Sequence, residues 1–88
     1  FAEECNNKEI LDAIILLAKT EGIFTEPAGG VSISVLQKMV EQGKIDKNDR
    51  IVCYVTGNGL KATESIMEVL QKPKVMKADI AEISAVVN

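Results

Sequence analysis

Apolar residues recur at helical spacing through the first half of the chain and then gather into one unbroken run. Between Asn7 and Glu21, Ile10, Leu11, Ala13, Ile14, Leu17 and Ala18 line a broad face of a predicted helix. Lys8, Asp12 and Lys19 mark the opposite stripe. Asn6 and Glu9 stand ahead of it in capping-box spacing, in which two side chains satisfy exposed backbone donors, and Gly22 supplies a left-handed stop. Ile15 falls in the middle of the polar stripe. It reads either as an isolated surface apolar residue or as a sign that both faces of the helix are covered.

Ile23–Glu26 is expected to be short and extended, because the residue before Pro27 is pushed out of helical geometry. Pro27 suits a first helical position, and Val31, Val35, Leu36, Met39 and Val40 then repeat at helical spacing up to a stop at Gly43. Gly29 and Gly30 fall in the first turn of this second helix, where a missing Cβ and unpaired N–H donors favour an approaching anion. Ile51 to Val55 is continuous and β-branched, the pattern of a parallel strand buried on both faces. Thr63 is placed to cap a third helix through Leu70, ended before Pro73, and Ile80, Ile83 and Val87 share one side of a short fourth helix beginning near Ala78.

This order predicts an α/β fold with helices packed on a small parallel sheet. One strand does not make a sheet, however. Either Ile23–Glu26 and a piece near Lys74–Met76 pair with the central run, or the remaining strands belong to chain that is not part of this sequence.

At 88 residues the chain amounts to one domain, too small to bury a large fraction of its surface. Its hydrophobic content is 47% with 3% aromatics, so the core is aliphatic. A net charge of −3 without a Lys or Arg cluster argues against nucleic acid as a partner, and the few rings offer no stacking platform. Cys5 and Cys53 lie in no CxxC spacing and read as free thiols of a reducing cytoplasm. Neither a leader pattern nor an apolar run of membrane length is seen, so a cytoplasmic protein without a membrane partner is expected. Phe1 in place of an initiator methionine predicts that processing, proteolysis or a cloning boundary made that end.

Chemistry concentrates at two short motifs. Thr56 follows the apolar run directly, the carboxyl-end position where ligands collect in open α/β sheets, and its hydroxyl can meet a neutral aromatic nitrogen without carrying charge. Gly57 and Gly59 keep the backbone close to whatever binds, and Asn58 tolerates a left-handed conformation. Taken alone, Thr-Gly-Asn-Gly is equally a tight turn. Glu26 heads the second helix, where a carboxylate gains from the helix dipole whether or not it has a further role. The sequence has no histidine, so the familiar nucleophile–base pairs are excluded, and no ligand cluster has metal spacing.

The longer stretch Val-Cys-Tyr-Val-Thr-Gly-Asn-Gly-Leu-Lys, ending at Lys61, is far less generic. With Glu-Gly-Ile-Phe-Thr-Glu-Pro-Ala-Gly-Gly upstream, it resembles the C-terminal end of the threonine synthases. These belong to the pyridoxal-phosphate (PLP) family whose fold resembles the tryptophan synthase β subunit. The resemblance covers residues 3–61 well and the helical tail, 62–88, poorly. It implies that residues 1–88 form a single domain that is the C-terminal portion of a longer parent enzyme. That enzyme would convert O-phosphohomoserine and water to threonine and phosphate.

By the same resemblance, Thr56 contacts the pyridine nitrogen of PLP, Glu26 lies near the cofactor ring, and Gly57 and Asn58 complete one wall of the site. A neutral hydroxyl there favours elimination and replacement over transamination. No lysine lies in the family's Schiff-base motif and no glycine-rich phosphate loop is present. The segment alone is therefore expected neither to bind PLP nor to catalyse, and its expected partners are the remainder of the enzyme and a second copy in a homodimer. Two alternatives remain: a free-standing interaction or oligomerisation module with the same fold, and a piece of threonine dehydratase.

Overall fold

A computed structural model describes residues 2–71 and 75–87. Helix α1 spans Asn7–Glu21, with the bounds that the pattern predicts. Asn6 Oδ1 accepts the Glu9 N–H at 2.9 Å and Asn6 Nδ2 donates to Glu9 Oε1 at 2.9 Å, a capping box formed through the two side chains. Gly22 closes the helix at φ 67°, its N–H reaching the Ala18 carbonyl at 3.1 Å. Helix α2, Pro27–Glu41, opens on proline and ends in a Schellman pattern. There Lys44 N–H bonds Met39 O at 2.9 Å and Gly43 N–H bonds Val40 O at 3.1 Å, with Gly43 at φ 70°.

The core lies where α1 packs on α2. Ala13, Ile14 and Leu17 of α1 are buried, as are Gly29, Gly30 and Ser34 of α2. Small residues on α2 let the helix backbones approach closely. A Cβ on Gly30 would stand 2.8 Å from Ile14 Cγ1 and 2.9 Å from the Ile10 carbonyl oxygen. A Cβ on Gly29 would collide with the Thr25 side chain. The expected anion-receiving helix start is thus corrected. Its glycines are filled by this chain's own Thr25 and α1, and the Gly29 and Gly30 N–H groups bond the Glu26 carbonyl at 3.0 and 3.2 Å.

The amino-terminal residues strap onto α2. Lys38 Nζ bonds the Glu4 carbonyl at 2.6 Å and pairs with Glu9 Oε2 at 2.6 Å, while Gln42 Nε2 donates to Glu3 Oε2 at 3.0 Å. The Gln42 hydrogen bond holds the Glu3 carboxyl below the ordinary glutamate range, and the Glu9 hydrogen bond raises the Lys38 ammonium above the ordinary lysine range.

Ile51–Val55 does not form the buried parallel strand expected of it. Among the described residues there are no strands, only an isolated antiparallel bridge, and Val52 and Tyr54 are 80% and 77% exposed. A strand needs neighbours to bond its edges and cover its faces, and no other segment described here supplies them. Ile23–Glu26 is extended as expected but pairs with residues beyond the run, not with the run itself. Lys74 and Pro73 lie outside the described residues; Val75 and Met76 are exposed and unpaired with the run.

Helix α3 is a single turn, Glu64–Met67, shorter than the predicted helix through Leu70. The start falls after Thr63 as expected, although Thr63 has helical φ and ψ and makes no side-chain cap bond; the shortening is at the other end, where the Val69 N–H turns back to Ile66 O at 3.1 Å. Its Ile66, 4% exposed, completes the core. Ile15 is half-buried and, with Ile14, Phe24, Ile66 and Leu70, lines an apolar recess of about 270 Å³, which favours the reading that both sides of α1 meet other chain. Helix α4, Ile80–Val87, buries none of its residues. The radius of gyration, 16.8 Å, exceeds the roughly 12 Å of a compact chain of this length, because the tail extends away from the α1–α2 core. No helix among the described residues is long and apolar enough to cross a membrane.

Candidate functional site

The two chemical motifs meet. Thr25 and Asn58 form the antiparallel bridge, in which Glu26 N–H donates to Gly57 O at 3.1 Å and Gly59 N–H donates to Phe24 O at 2.9 Å. Thr25, 1% exposed, sends its hydroxyl to the Gly57 and Glu26 carbonyls, each at 3.2 Å. This pairing sets Glu26 at the head of α2 beside the Thr56–Asn58 segment.

The glycines in the second motif are explained by the same closeness. A side chain on Gly57 would run into the Glu26 carboxyl group, and one on Gly59 into the Phe24 ring. Their open faces are thus occupied from within the chain. Asn58 is extended, at φ −84° and ψ 137°, rather than left-handed. Its Oδ1 instead accepts the Leu60 N–H at 2.9 Å and caps a 3₁₀ turn, Gly59–Lys61, that the sequence pattern did not suggest. An Asn-Gly hairpin turn needs positive φ at both residues, and neither Asn58 nor Gly59 has it. A tight turn is nevertheless present, of 3₁₀ rather than hairpin type, with the Lys61 N–H bonding Asn58 O at 3.1 Å.

Thr56 is exposed, and its hydroxyl makes no hydrogen bond among the described residues. Glu26 is half-buried at the N-cap of α2, with no side-chain cap bond. One neutral hydroxyl and one carboxylate thus lie at the edge of a backbone pairing, neither engaged in capping the adjacent helix. No group of three or more potential metal ligands occurs among the described residues. Thr25 is the site residue that sequence reasoning missed. A lone hydroxyl inside a short extended segment, four residues before a Gly-Gly pair, was the available signal.

The family described as pyridoxal-phosphate dependent enzymes matches residues 1–57. The chain belongs to this family. Among its curated relatives, the threonine synthase of Methanocaldococcus jannaschii is 42% identical over 80 residues, covering 91% of this chain and 20% of the relative. The threonine synthase of Methanosarcina acetivorans is 39% identical over 82 residues, covering 93% of this chain and 20% of the relative. That of Halalkalibacterium halodurans is 42% identical over 78 residues, covering 88% and 22%. The chain thus spans about a fifth of the length of these relatives, and the match falls in their C-terminal part. The resemblance inferred from the two motifs is that of the family itself, whose cofactor is pyridoxal phosphate.

Proposed function

We propose that this chain is the C-terminal part of a threonine synthase, a PLP-dependent lyase that turns O-phosphohomoserine and water into threonine and phosphate. The observation that carries this reading is the Thr25–Asn58 pairing, which joins the two family motifs and leaves the Thr56 hydroxyl outward and unengaged. The threonine synthase names of the relatives favour this substrate over that of a threonine dehydratase.

Thr56, Glu26, Gly57 and Asn58 form one wall of the cofactor site. The donor set fits: an exposed neutral hydroxyl can donate to or accept from a heterocyclic nitrogen, and Gly57 leaves room for the Glu26 carboxyl group to lie beside it. When bound, pyridoxal phosphate supplies the electron sink for elimination and replacement. Thr56 orients the ring without placing a carboxylate on it, and Glu26 sets the local charge beside the ring. The Schiff-base lysine and phosphate loop come from the remainder of the parent enzyme, so residues 1–88 are a non-catalytic domain with a helical tail at 62–88. The same remainder, in a cytoplasmic homodimer, pairs Ile51–Val55 as a sheet strand and covers α4. Exposed Val52, Tyr54, Ile80 and Val87 are consistent with surfaces made to be buried.

Product analysis of the complete enzyme tests this. Threonine and inorganic phosphate should form together from O-phosphohomoserine, with no consumption of threonine. Threonine consumption without phosphate release would transfer the assignment to a dehydratase. A small, stable dimer of the 88-residue chain with an intact gene ending on both sides of it would favour the free-standing module.

A further inference from the structure

We propose that Thr25 is a positioning residue for this wall: its hydroxyl clasps the Gly57 carbonyl and fixes the backbone from which Thr56 projects. The proposal rests on the preceding assignment of Thr56 and Gly57 to the cofactor site.

Thr25 is the largest fully buried side chain among the described residues. A hydroxyl carries one proton, which Thr25 shares between Gly57 O and Glu26 O, each 3.2 Å away. Gly57 O also receives the Glu26 N–H at 3.1 Å, so both of its lone pairs are taken. Two residues on, Gly59 N–H bonds Phe24 O at 2.9 Å. The segment carrying the second motif is therefore held at both ends by main chain and drawn inward by one side chain. Gly29 provides the room, since any side chain there would displace the Thr25 hydroxyl.

Buried hydroxyls must keep their partners, because an unsatisfied polar group is costly while a satisfied one locks its surroundings. Valine at this position keeps the volume but sets a methyl group against two carbonyl oxygens. Serine keeps the hydroxyl and drops only the methyl. The pair separates hydrogen bonding from packing.

Two readouts decide the matter. Amide hydrogen exchange at Glu26 and Gly59 in the complete enzyme reads the clasp, and PLP titration of the same protein, followed by cofactor absorbance, reads its consequence. Thr25→Val should quicken exchange about fivefold and weaken PLP binding about fivefold, the factor for one neutral hydrogen bond, while Thr25→Ser stays within about twofold of the native protein on both. Native PLP affinity in Thr25→Val overturns the positioning role even if exchange quickens. Equal losses in Thr25→Ser and Thr25→Val overturn it as well, since the methyl and not the hydroxyl would then matter. A native complete enzyme that takes up no PLP overturns the functional assignment and with it the positioning role, while exchange in the two variants still shows whether the clasp exists.

Discussion

Replacing Gly30 by alanine sets two effects of opposite sign against each other. In an open helix the change stabilises, because alanine is better than glycine by about 1 kcal/mol. Gly30 is not open. Its new Cβ would sit 2.8 Å from Ile14 Cγ1, 2.9 Å from Ile10 Cγ2 and 2.9 Å from the Ile10 carbonyl oxygen. The two side-chain carbons can swing aside at about 1 kcal/mol for an off-rotamer angle, but the carbonyl oxygen moves only if α1 does. Overpacking of this kind costs about 1–3 kcal/mol, so sterics win and the net loss is about 1 kcal/mol. For a chain of this length that lowers the thermal midpoint by about 4–8 °C, measured by circular dichroism. Ile14→Ala removes one of the three contacts, so the Gly30→Ala penalty should shrink in the double variant, with a coupling of at least about 0.5 kcal/mol. A Gly30→Ala midpoint at or above the native value, or strictly additive effects, would refute the close α1–α2 approach.

Loss of the capping box in Asn6→Ala should destabilise the chain by about 1 kcal/mol, and urea unfolding should show this as a lower midpoint at unchanged slope. The contacts of Glu3, Glu4 and Glu9 with α2 should depend on pH at both extremes, as read from the chemical shifts of those residues. Glu3 has a depressed folded-state pKa, so its contribution is present above the ordinary carboxyl range and is lost as the pH falls through its lowered value. Lys38 has a raised one, so its contribution is complete below the ordinary lysine range and is lost as the pH rises through its raised value. Shifts that stay constant through both extremes would contradict these contacts.

Local signals made the helical half legible. Asn6, Glu9 and Gly22 bound α1 because caps and left-handed stops act within a few residues, and Pro27 and Gly43 bracket α2 in the same way. Ile51–Val55 is not a strand among the described residues because a β-branched run signals a need for burial, whereas a strand also needs backbone partners, and none is described within this chain. Thr63 marks the start of α3 as expected, but its backbone is already helical and α3 is only one turn. At the site, the residue types of both motifs were readable, while their pairing was not. A contact such as Thr25 to Gly57 joins distant positions and leaves no periodic trace between them. The glycines show the same limit, since Gly57 and Gly59 were legible as close approaches but not as approaches to Glu26 and Phe24.

The central claim is that Thr56 faces the cofactor's heterocycle, and the most direct measurement is the PLP dissociation constant of the complete enzyme with threonine, serine or alanine at this position. The account predicts about fivefold weaker binding for Thr56→Ala, one neutral hydrogen bond lost, and near-native binding for Thr56→Ser. Indistinguishable affinities in all three would contradict it.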